Sequence, residues 1–446
     1  MKAEAAVLPV KGLSMSRAQY RQVMQDHFPQ EISLKIGDTT LIYHKQLYKI
    51  KPEGGPALES GLRYGENPGQ EAALYRLVNG HLSQTGLKYV GPKDALVSAL
   101  ADGDPAGNIM YGCGKHPSKT NLTDVDSALG ILRYLSDKPA AVIIKHNNPS
   151  GAAVARSAKT AFVKAWEADR VAAFGGAAVL NRPVDKACAK LMNSRYLEVV
   201  AAPDYEEGAL EILGRKKDLR IFKIKNIDKL KDLAVKRFLD IKSLMDGGLV
   251  LQQSSFNAIS SPEDFLPAQA EHGGRLYSPD RKPNSRELND LVFGWAVEQG
   301  VSSNSVLFVK DGVTVAIGAG GQDRVGIVEM AVFKAYRNFA DRLSSERHQM
   351  SYKELELAVE QKKAPKKLLR EIDEATLEAK GGLLGSAMVS DAFFPFRDGV
   401  DVALRQGVSA IAHPGGSLRD WESIEAVNQV SPKAAMVFTG QRAFKH

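Results

Sequence analysis

The residues best suited to chemistry are an adjacent lysine and histidine, Lys145 and His146, which follow the apolar run Val142-Ile143-Ile144. The β-branched run predicts a buried strand, and the polar residues after it predict a tight turn into a helix. Ligands of α/β proteins bind at such strand ends. A histidine that removes a proton, beside an ammonium that stabilises an oxyanion, would serve group transfer. The alternative is a Lys-His pair on a surface loop.

Several other stretches could hold an anionic or flat ligand, and each has a structural alternative. Arg63 lies in a glycine-flanked turn, where its guanidinium would either bind a phosphate or belong to a capped surface turn. The pair Gly175-Gly176 in an apolar run predicts backbone close to a ligand, or a bulge. The three phenylalanines of residues 393–396 fit either a heterocycle or the core. Glu198 interrupts an apolar run, where a carboxylate needs a partner.

Composition limits the possible partners. The chain has 446 residues, a net charge of +7, 44% hydrophobic residues and 25% charged residues, which is typical of a soluble globular protein of about two or three domains. The positive charge favours anionic ligands, but the basic runs lack the interleaved aromatic residues of a single-strand binding surface, so we expect no nucleic acid partner. No apolar run is long enough to span a membrane, and no signal peptide is evident, so we expect a cytoplasmic protein.

Several catalytic motifs are absent from the sequence. It has two cysteines, too few for a disulfide framework or a thiolate metal cage. The zinc-deaminase pair of H-x-E and P-C-x-x-C does not occur, nor do H-E-x-x-H, G-x-S-x-G, a P-loop or the dinucleotide fingerprint. The sequence therefore predicts group transfer on an anionic substrate without a catalytic metal.

The order of predicted elements divides the chain into three parts. Residues 1–60 form a leading segment, residues 61–253 a first α/β unit with a connection, and residues 254–446 a second α/β unit. Both units contain strand–turn–helix patterns, and an Asp-Gly turn predicts a hairpin in the second. We therefore expect two similar halves.

Six motifs stand in the order found in one family. They are Arg63-Tyr-Gly-x-Asn-Pro68, Lys145-His-Asn-Asn-Pro-Ser-Gly151, Ala173-Phe-Gly-Gly176, Ser303-Asn-Ser-Val306 with Gly318-Ala-Gly320, Ser390-Asp-Ala-Phe-Phe-Pro-Phe-Arg-Asp398, and Arg442 to His446. Each motif alone is weak, but six in order are specific. Over residues 61–446 the chain resembles AICAR transformylase, the formyl-transfer part of a bifunctional purine-biosynthesis family that also carries IMP cyclohydrolase.

The resemblance implies transfer of a formyl group from 10-formyltetrahydrofolate to the 5-amino group of AICAR. His146 would be the general base for this weakly nucleophilic amine, and Lys145 would stabilise the oxyanion on the formyl carbon. Asn304 would hydrogen-bond near the formyl group or the carboxamide. The matched AICAR contacts are Arg63, Tyr64, Gly175, Glu198, Phe393 and Arg442, and the matched folate contacts are Val325, Asp398, Ser417 and Leu418.

The resemblance also implies a fold and partners. It implies an α/β protein of two tandem, zinc-free cytidine-deaminase-like units, and a homodimer with sites at the interface. It leaves open a structural monovalent cation and a separate IMP cyclohydrolase as partner. A non-catalytic protein that binds nucleotide or folate is the alternative, although retention of both Lys145 and His146 argues against it.

The sequence departs from the family pattern in three places. Only 62 residues precede Arg63, where the family has about two hundred, so we expect no IMP cyclohydrolase activity. Gly69 stands where a histidine is common, and His413 stands where the family often has another polar residue or alanine.

Overall fold

The computed structural model describes residues 28–50, 58–62, 72–81, 96–97, 109–111, 116–236, 239–246 and 249–446. The described part is a mixed α/β protein. Its strands are β1 Glu31–Ile36, β2 Thr39–Lys45, β3 Tyr48–Ile50, β4 Leu58–Ser60, β5 Tyr75–Asn79, β6 Ile109–Tyr111, β7 Ala140–Lys145, β8 Asn148–Val154, β9 Ala177–Leu180, β10 Val199–Ala202, β11 Arg220–Lys223, β12 Leu239–Ser243, β13 Leu249–Gln253, β14 Leu266–Pro267, β15 Ala270–His272, β16 Arg275–Tyr277, β17 Val306–Lys310, β18 Val313–Gly318, β19 Ala387–Ser390, β20 Ala410–His413 and β21 Ala435–Phe438.

Helices cover both faces of the main sheet. They are α1 Lys119–Leu132, α2 Ala158–Ala168, α3 Arg170–Ala173, α4 Lys186–Asn193, α5 Ala209–Leu213, α6 Leu230–Ala234, α7 Ser285–Glu298, α8 Arg324–His348, α9 Tyr352–Glu360, α10 Lys366–Glu378, α11 Asp398–Arg405 and α12 Asp420–Gln429. Side chains of α1 and α7 share one apolar cluster across both halves. On the other face, α2, α4 and α5 cover the first half, and α8, α11 and α12 cover the second.

Twelve strands form one continuous sheet in the order β14-β21-β20-β19-β17-β18-β8-β7-β9-β10-β11-β6. Each half of this sheet has the same plan. An antiparallel hairpin, β7–β8 or β17–β18, is followed by three parallel strands and an antiparallel edge strand. The halves meet where β8 pairs antiparallel with β18. The predicted repetition of two α/β halves is therefore present in the strand order, while the boundary at residue 253 stays a prediction.

The two halves run in opposite senses. At one edge of the sheet, which we call the site edge, β7 ends at Lys145, the parallel strands of the first half begin, and those of the second half end. At the opposite far edge, the hairpin β17–β18 turns instead. In the first half, the residues predicted to bind a ligand therefore lie where the parallel strands begin. This differs from the expectation that ligands bind where such strands end.

The prediction of a turn into a helix after His146 was wrong, because a second strand, β8, comes first. This strand lies between β7 and β18 in the sheet, and the helix α2 packs on its face. A side-chain carbon at Gly151 would lie 2.1 Å from the carbonyl oxygen of Ala165. The small residues that suggested a helix instead let the strand pack tightly under one.

Two matched hairpin turns mark the repeat. Lys145 pairs with Asn148 across the turn His146–Asn147, and Lys310 pairs with Val313 across the equivalent turn Asp311–Gly312. We call these the His146 turn and the Asp311 turn. The φ angles of His146 and Asn147 are 61° and 60°, and those of Asp311 and Gly312 are 53° and 69°. Positive φ at both central residues defines a type I′ turn, which favours Asp-Gly.

The strain in the His146 turn gives a stability prediction. Histidine in the left-handed conformation is unfavourable by about 1 kcal/mol relative to glycine. Because the imidazole is exposed and makes no hydrogen bond with the described residues, we expect His146→Gly to raise the free energy of unfolding by about 1 kcal/mol. Urea unfolding measures the change, with Asp311→Gly as the matched control. A loss of stability would show that the imidazole supports the fold.

Candidate functional site

Lys145 is the last residue of β7 at the site edge, and a hydrogen bond to a backbone carbonyl holds its side chain. Its ammonium donates to the carbonyl oxygen of Phe174 at 2.7 Å. Gly175 has a φ of 77°, and a side-chain carbon there would lie 3.5 Å from the ring of Tyr196 and 4.0 Å from the Lys145 ammonium. The glycine therefore leaves room beside the lysine, and the approach of its backbone to a ligand stays a prediction.

The far edge shows which of these contacts belong to the fold. There Lys310 donates to the carbonyl oxygen of Leu384 at 2.8 Å, just as Lys145 does to Phe174. Nearby, the Arg286 guanidinium donates to Asp290 at 2.9 Å and to the Gly385 carbonyl at 2.8 Å. The lysine contact is thus part of the repeat, whereas His146 is specific to the site edge.

An aspartate on the first helix of each half caps the neighbouring turn. The Asp124 carboxylate accepts the Asn147 amide at 2.8 Å. Asp290 accepts the Asp311 amide at 3.1 Å and the Gly312 amide at 2.8 Å. Burial raises the pKa of both aspartates, although the amide hydrogen bonds oppose this shift. Asp124 therefore helps to place His146, and the sequence reasoning missed it.

Glu198 lies just before β10 at the same edge. It is 43% exposed, accepts the Asn121 amide at 3.2 Å and lies 3.9 Å from the Arg220 guanidinium. The Glu198 carboxylate thus has the polar and charged partners that a carboxylate in an apolar run needs, and its exposed part is accessible to a ligand. Beside it, Phe174 and Tyr196 stack with ring centroids 4.8 Å apart. Sequence patterns gave no signal for this exposed aromatic pair.

Asn304 belongs to the loop before β17 and is fixed by Arg324 at the start of α8. The guanidinium donates to the Asn304 side-chain oxygen at 3.0 Å and to the Asp391 carboxylate at 2.5 Å. It also donates to the Ser390 hydroxyl at 3.0 Å and the Ser305 carbonyl at 3.1 Å. Because its oxygen is engaged, the Asn304 amide is left to present its N–H groups. Arg324 escaped the sequence reasoning because only the tertiary fold brings it to Asn304.

A second acid, Glu298, is buried close to this network. It accepts the Ser305 hydroxyl at 2.9 Å and has no solvent exposure. Burial raises the pKa of the Glu298 carboxyl well above its usual range, and the charge of Asp391 raises it further. Glu298 is thus a buried acid with a raised pKa next to the ion pair of Arg324 and Asp391.

His413 ends β20 inside the second half. Its ring lies between Phe394 and Phe438, with centroids 5.4 and 4.8 Å away, and its Nδ1 accepts the Gly415 amide at 3.1 Å. Burial, together with the positive charge of Arg324, lowers the pKa of His413 to about 3. The imidazole is therefore neutral and structural, so the predicted departure from the family pattern lies in the core.

His413 should make the fold sensitive to acid. Its pKa is near 6.5 when unfolded, so the unfolded chain binds the extra proton first and stability falls as the pH drops from about 6.5 toward about 3. His413→Asn keeps an acceptor but cannot titrate. Between pH 7 and 5 we expect this variant to lose about 2 kcal/mol less stability than wild type, measured by urea unfolding. Equal losses would contradict a buried neutral histidine.

The aromatic stretch 393–396 divides between core and site. Phe394 is fully buried, whereas Phe393 lies under the Arg442 guanidinium, 5.1 Å from carbon to ring centroid. The Ala443 amide donates to the Asp391 carbonyl at 2.9 Å, which brings the end of the sequence close to the end of β19. The structure thus places Phe393 and Arg442 together, and their roles as AICAR contacts stay a prediction.

One of the predicted folate contacts, Asp398, lines a groove of about 370 Å³. Asp398 and Phe396 line it, and Arg419 stacks on Phe396 at 4.9 Å. Ser417 and Leu418 precede Arg419, and Leu418 is 96% exposed. The helix α12 begins at Asp420 with Arg419 as its N-cap, and the Ser417 hydroxyl accepts the Arg419 amide at 3.1 Å.

The remaining predicted residues have separate positions. Val325 lies in the first turn of α8, which packs against α11. Arg63, Tyr64 and Gly69 lie outside the described residues. Within the described ranges, no group of three or more His, Cys, Asp or Glu side chains could hold a metal ion, and no helix is long and apolar enough to cross a membrane.

Comparisons of the sequence with those of known proteins identify one family. A sequence model of the AICARFT/IMPCHase bienzyme family matches residues 17–334. The bifunctional purine biosynthesis protein PurH of Caldicellulosiruptor bescii is 34% identical over 86% of this chain and 59% of its own length. PurH of Bacillus subtilis is 34% identical over 87% and 59%, and PurH of Aquifex aeolicus 34% identical over 90% and 63%. The chain thus spans about three fifths of the length of these curated relatives, and it belongs to the AICARFT/IMPCHase family.

Proposed function

We propose that this protein is an AICAR formyltransferase, which moves the formyl group of 10-formyltetrahydrofolate to the 5-amino group of AICAR. One observation carries the proposal. The site edge gathers His146, Lys145 and Glu198 from the first half with Asn304 and Phe393 from the second. These supply a base, a cation, an acid and polar N–H groups that formyl transfer to an amine requires.

The proposed roles are those that the family resemblance implies, and the positions of the side chains support them. His146 takes a proton from the AICAR amine while the amine nitrogen forms a bond to the formyl carbon. Lys145 neutralises the oxyanion on that carbon, and Asn304 offers N–H groups because Arg324 holds its oxygen. When the carbon–nitrogen bond to the folate breaks, the folate nitrogen takes up a proton and leaves as tetrahydrofolate. Arg442 would bind the 5′-phosphate, while Asp398, Ser417, Leu418 and Val325 would contact the folate.

The finer fold and the assembly belong to the same proposal. The repeated strand order supports two cytidine-deaminase-like units without zinc. A homodimer is supported by large apolar side chains exposed on described helices and turns near the site edge, among them Phe174, Phe333 and Leu418. A structural monovalent cation and a cytoplasmic location stay predictions.

The decisive test offers AICAR with each one-carbon donor separately. We expect formyl-AICAR from 10-formyltetrahydrofolate and none from formate alone or formate with ATP. The same reactions should be followed for IMP, since ring closure by the pure protein would contradict the expectation of no cyclohydrolase activity. Folded protein that binds AICAR but forms no formyl-AICAR with any donor would favour the non-catalytic alternative.

A further inference from the structure

Lys445 connects the two catalytic segments through its side chain. Its ammonium donates to the carbonyl oxygen of Asn147, 298 residues away along the chain, at 2.8 Å. The same ammonium donates to the carbonyl oxygen of Gly300 at 2.8 Å. One cation therefore binds both the His146 turn of the first half and the loop that leads to Asn304 in the second.

The backbone of Lys445 makes a second connection to that loop. The Ser303 amide donates to the Lys445 carbonyl at 3.0 Å, and the Lys445 amide donates to the Ser303 hydroxyl at 3.2 Å. Ser303 directly precedes Asn304. Any displacement of Lys445 would therefore be passed to Asn304 through its neighbour and to His146 through Asn147.

The charge of Lys445 is suited to this place. Burial lowers the pKa of the ammonium, but the carboxylates of Asp126 and Asp124 oppose the shift. Asp124 also accepts the Asn147 amide. The peptide groups on either side of Asn147 are thus both held, one by an anion at the Asn147 amide and the other by a cation at the Asn147 carbonyl.

The Asp311 turn shows that the fold does not need such a cation. There the carbonyl oxygen of Gly312 accepts the backbone amide of Val154 at 2.9 Å, and Asp290 caps the amides. A type I′ turn at this position is therefore complete with an aspartate and a backbone donor. The additional side chain at the His146 turn calls for an explanation beyond turn formation.

We propose that Lys445 is a positioning residue, which fixes the His146 turn relative to the Asn304 loop for the formyl transfer proposed above. It touches neither the reacting atoms nor the imidazole. Its effect is on the geometry in which the base on one half and the amide on the other meet a single substrate.

The test compares Lys445→Met with Lys310→Met, which removes a carbonyl-bound ammonium at the far edge. In Lys445→Met we expect kcat to fall about 10- to 100-fold, since small misplacements of catalytic groups have effects of that size. The KM for AICAR should stay within about threefold, because the substrate contacts are unchanged. Lys310→Met should leave both constants near the wild-type values. If Lys445→Met does not fold, Lys445→Gln takes its place.

Hydrogen exchange gives a readout that does not depend on turnover. The amides of Asn147 and Ser303 should exchange faster in Lys445→Met and stay unchanged in Lys310→Met. A folded Lys445 variant with wild-type kcat, or with wild-type exchange at both amides, would overturn the proposal. Inactivity of the wild-type protein would count against formyl transfer alone, and the exchange rates would still decide whether Lys445 holds the two segments.

Discussion

Replacing His146 by alanine is expected to lower kcat for formyl transfer by about 10²- to 10⁴-fold at neutral pH. The amine of AICAR is a weak nucleophile because its lone pair is drawn into the ring and the carboxamide, so the step depends on removal of its proton. AICAR should still bind with nearly unchanged affinity, since the other contacts remain. Steady-state kinetics and calorimetric titration with AICAR measure the two effects separately.

Asp311→Ala is the matched control for this variant. Asp311 occupies the equivalent place in the second hairpin, with a φ of 53° against 61° for His146, but it lies at the far edge. Alanine therefore imposes a similar backbone change at both positions, and only the change at His146 should affect turnover. Unchanged turnover in His146→Ala would remove the base from the mechanism, whereas equal losses in both variants would point to a general structural effect.

Replacing Arg324 by methionine is expected to lower the free energy of unfolding by about 3–5 kcal/mol, because it leaves a buried carboxylate without its cation. Asp391 is fully buried, and its Oδ1 accepts the Arg324 guanidinium. The neighbouring Glu298 already has a raised pKa and offers no compensating charge. Urea unfolding at pH 7 measures the loss.

A second substitution separates charge from packing. Adding Asp391→Asn to Arg324→Met removes the unpaired charge, so the double variant should recover more than half of the lost stability. It should not recover formyl transfer, because the Asn304 oxygen still lacks its donor. A double variant as unstable as Arg324→Met would show that the guanidinium acts mainly through packing. Full activity in either variant would mean that the Asn304 amide needs no such support.

The sequence was most informative where strong periodicity coincided with a motif. The apolar run before Lys145 was predicted as a buried strand, which is β7, and the Asp-Gly turn was predicted as a hairpin, which is β17–β18. These elements are specified locally, by a β-branched run and an Asp-Gly turn. The predicted site residues that the structure describes also lie mostly along one edge of the sheet.

The sequence was least informative where a residue acts through a distant partner. Asp124, Arg324 and Lys445 are ordinary charged residues in the sequence, and each gains its role from a contact across the fold. The strand β8 was missed because small residues fit a helix and a tightly covered strand equally well. The left-handed His146 was also hidden, since nothing local distinguishes a strained turn from a flexible one.

The pairing of β8 with β18 has a consequence for how ligands enter. This pair joins the halves through the middle of the sheet. Asp169 of the first half also forms an ion pair with Arg337 on α8 of the second half. Because His146 and Asn304 lie at the same end of one continuous sheet, we expect no hinge motion of one half against the other when a ligand binds. Binding should therefore leave the small-angle scattering profile of the protein unchanged.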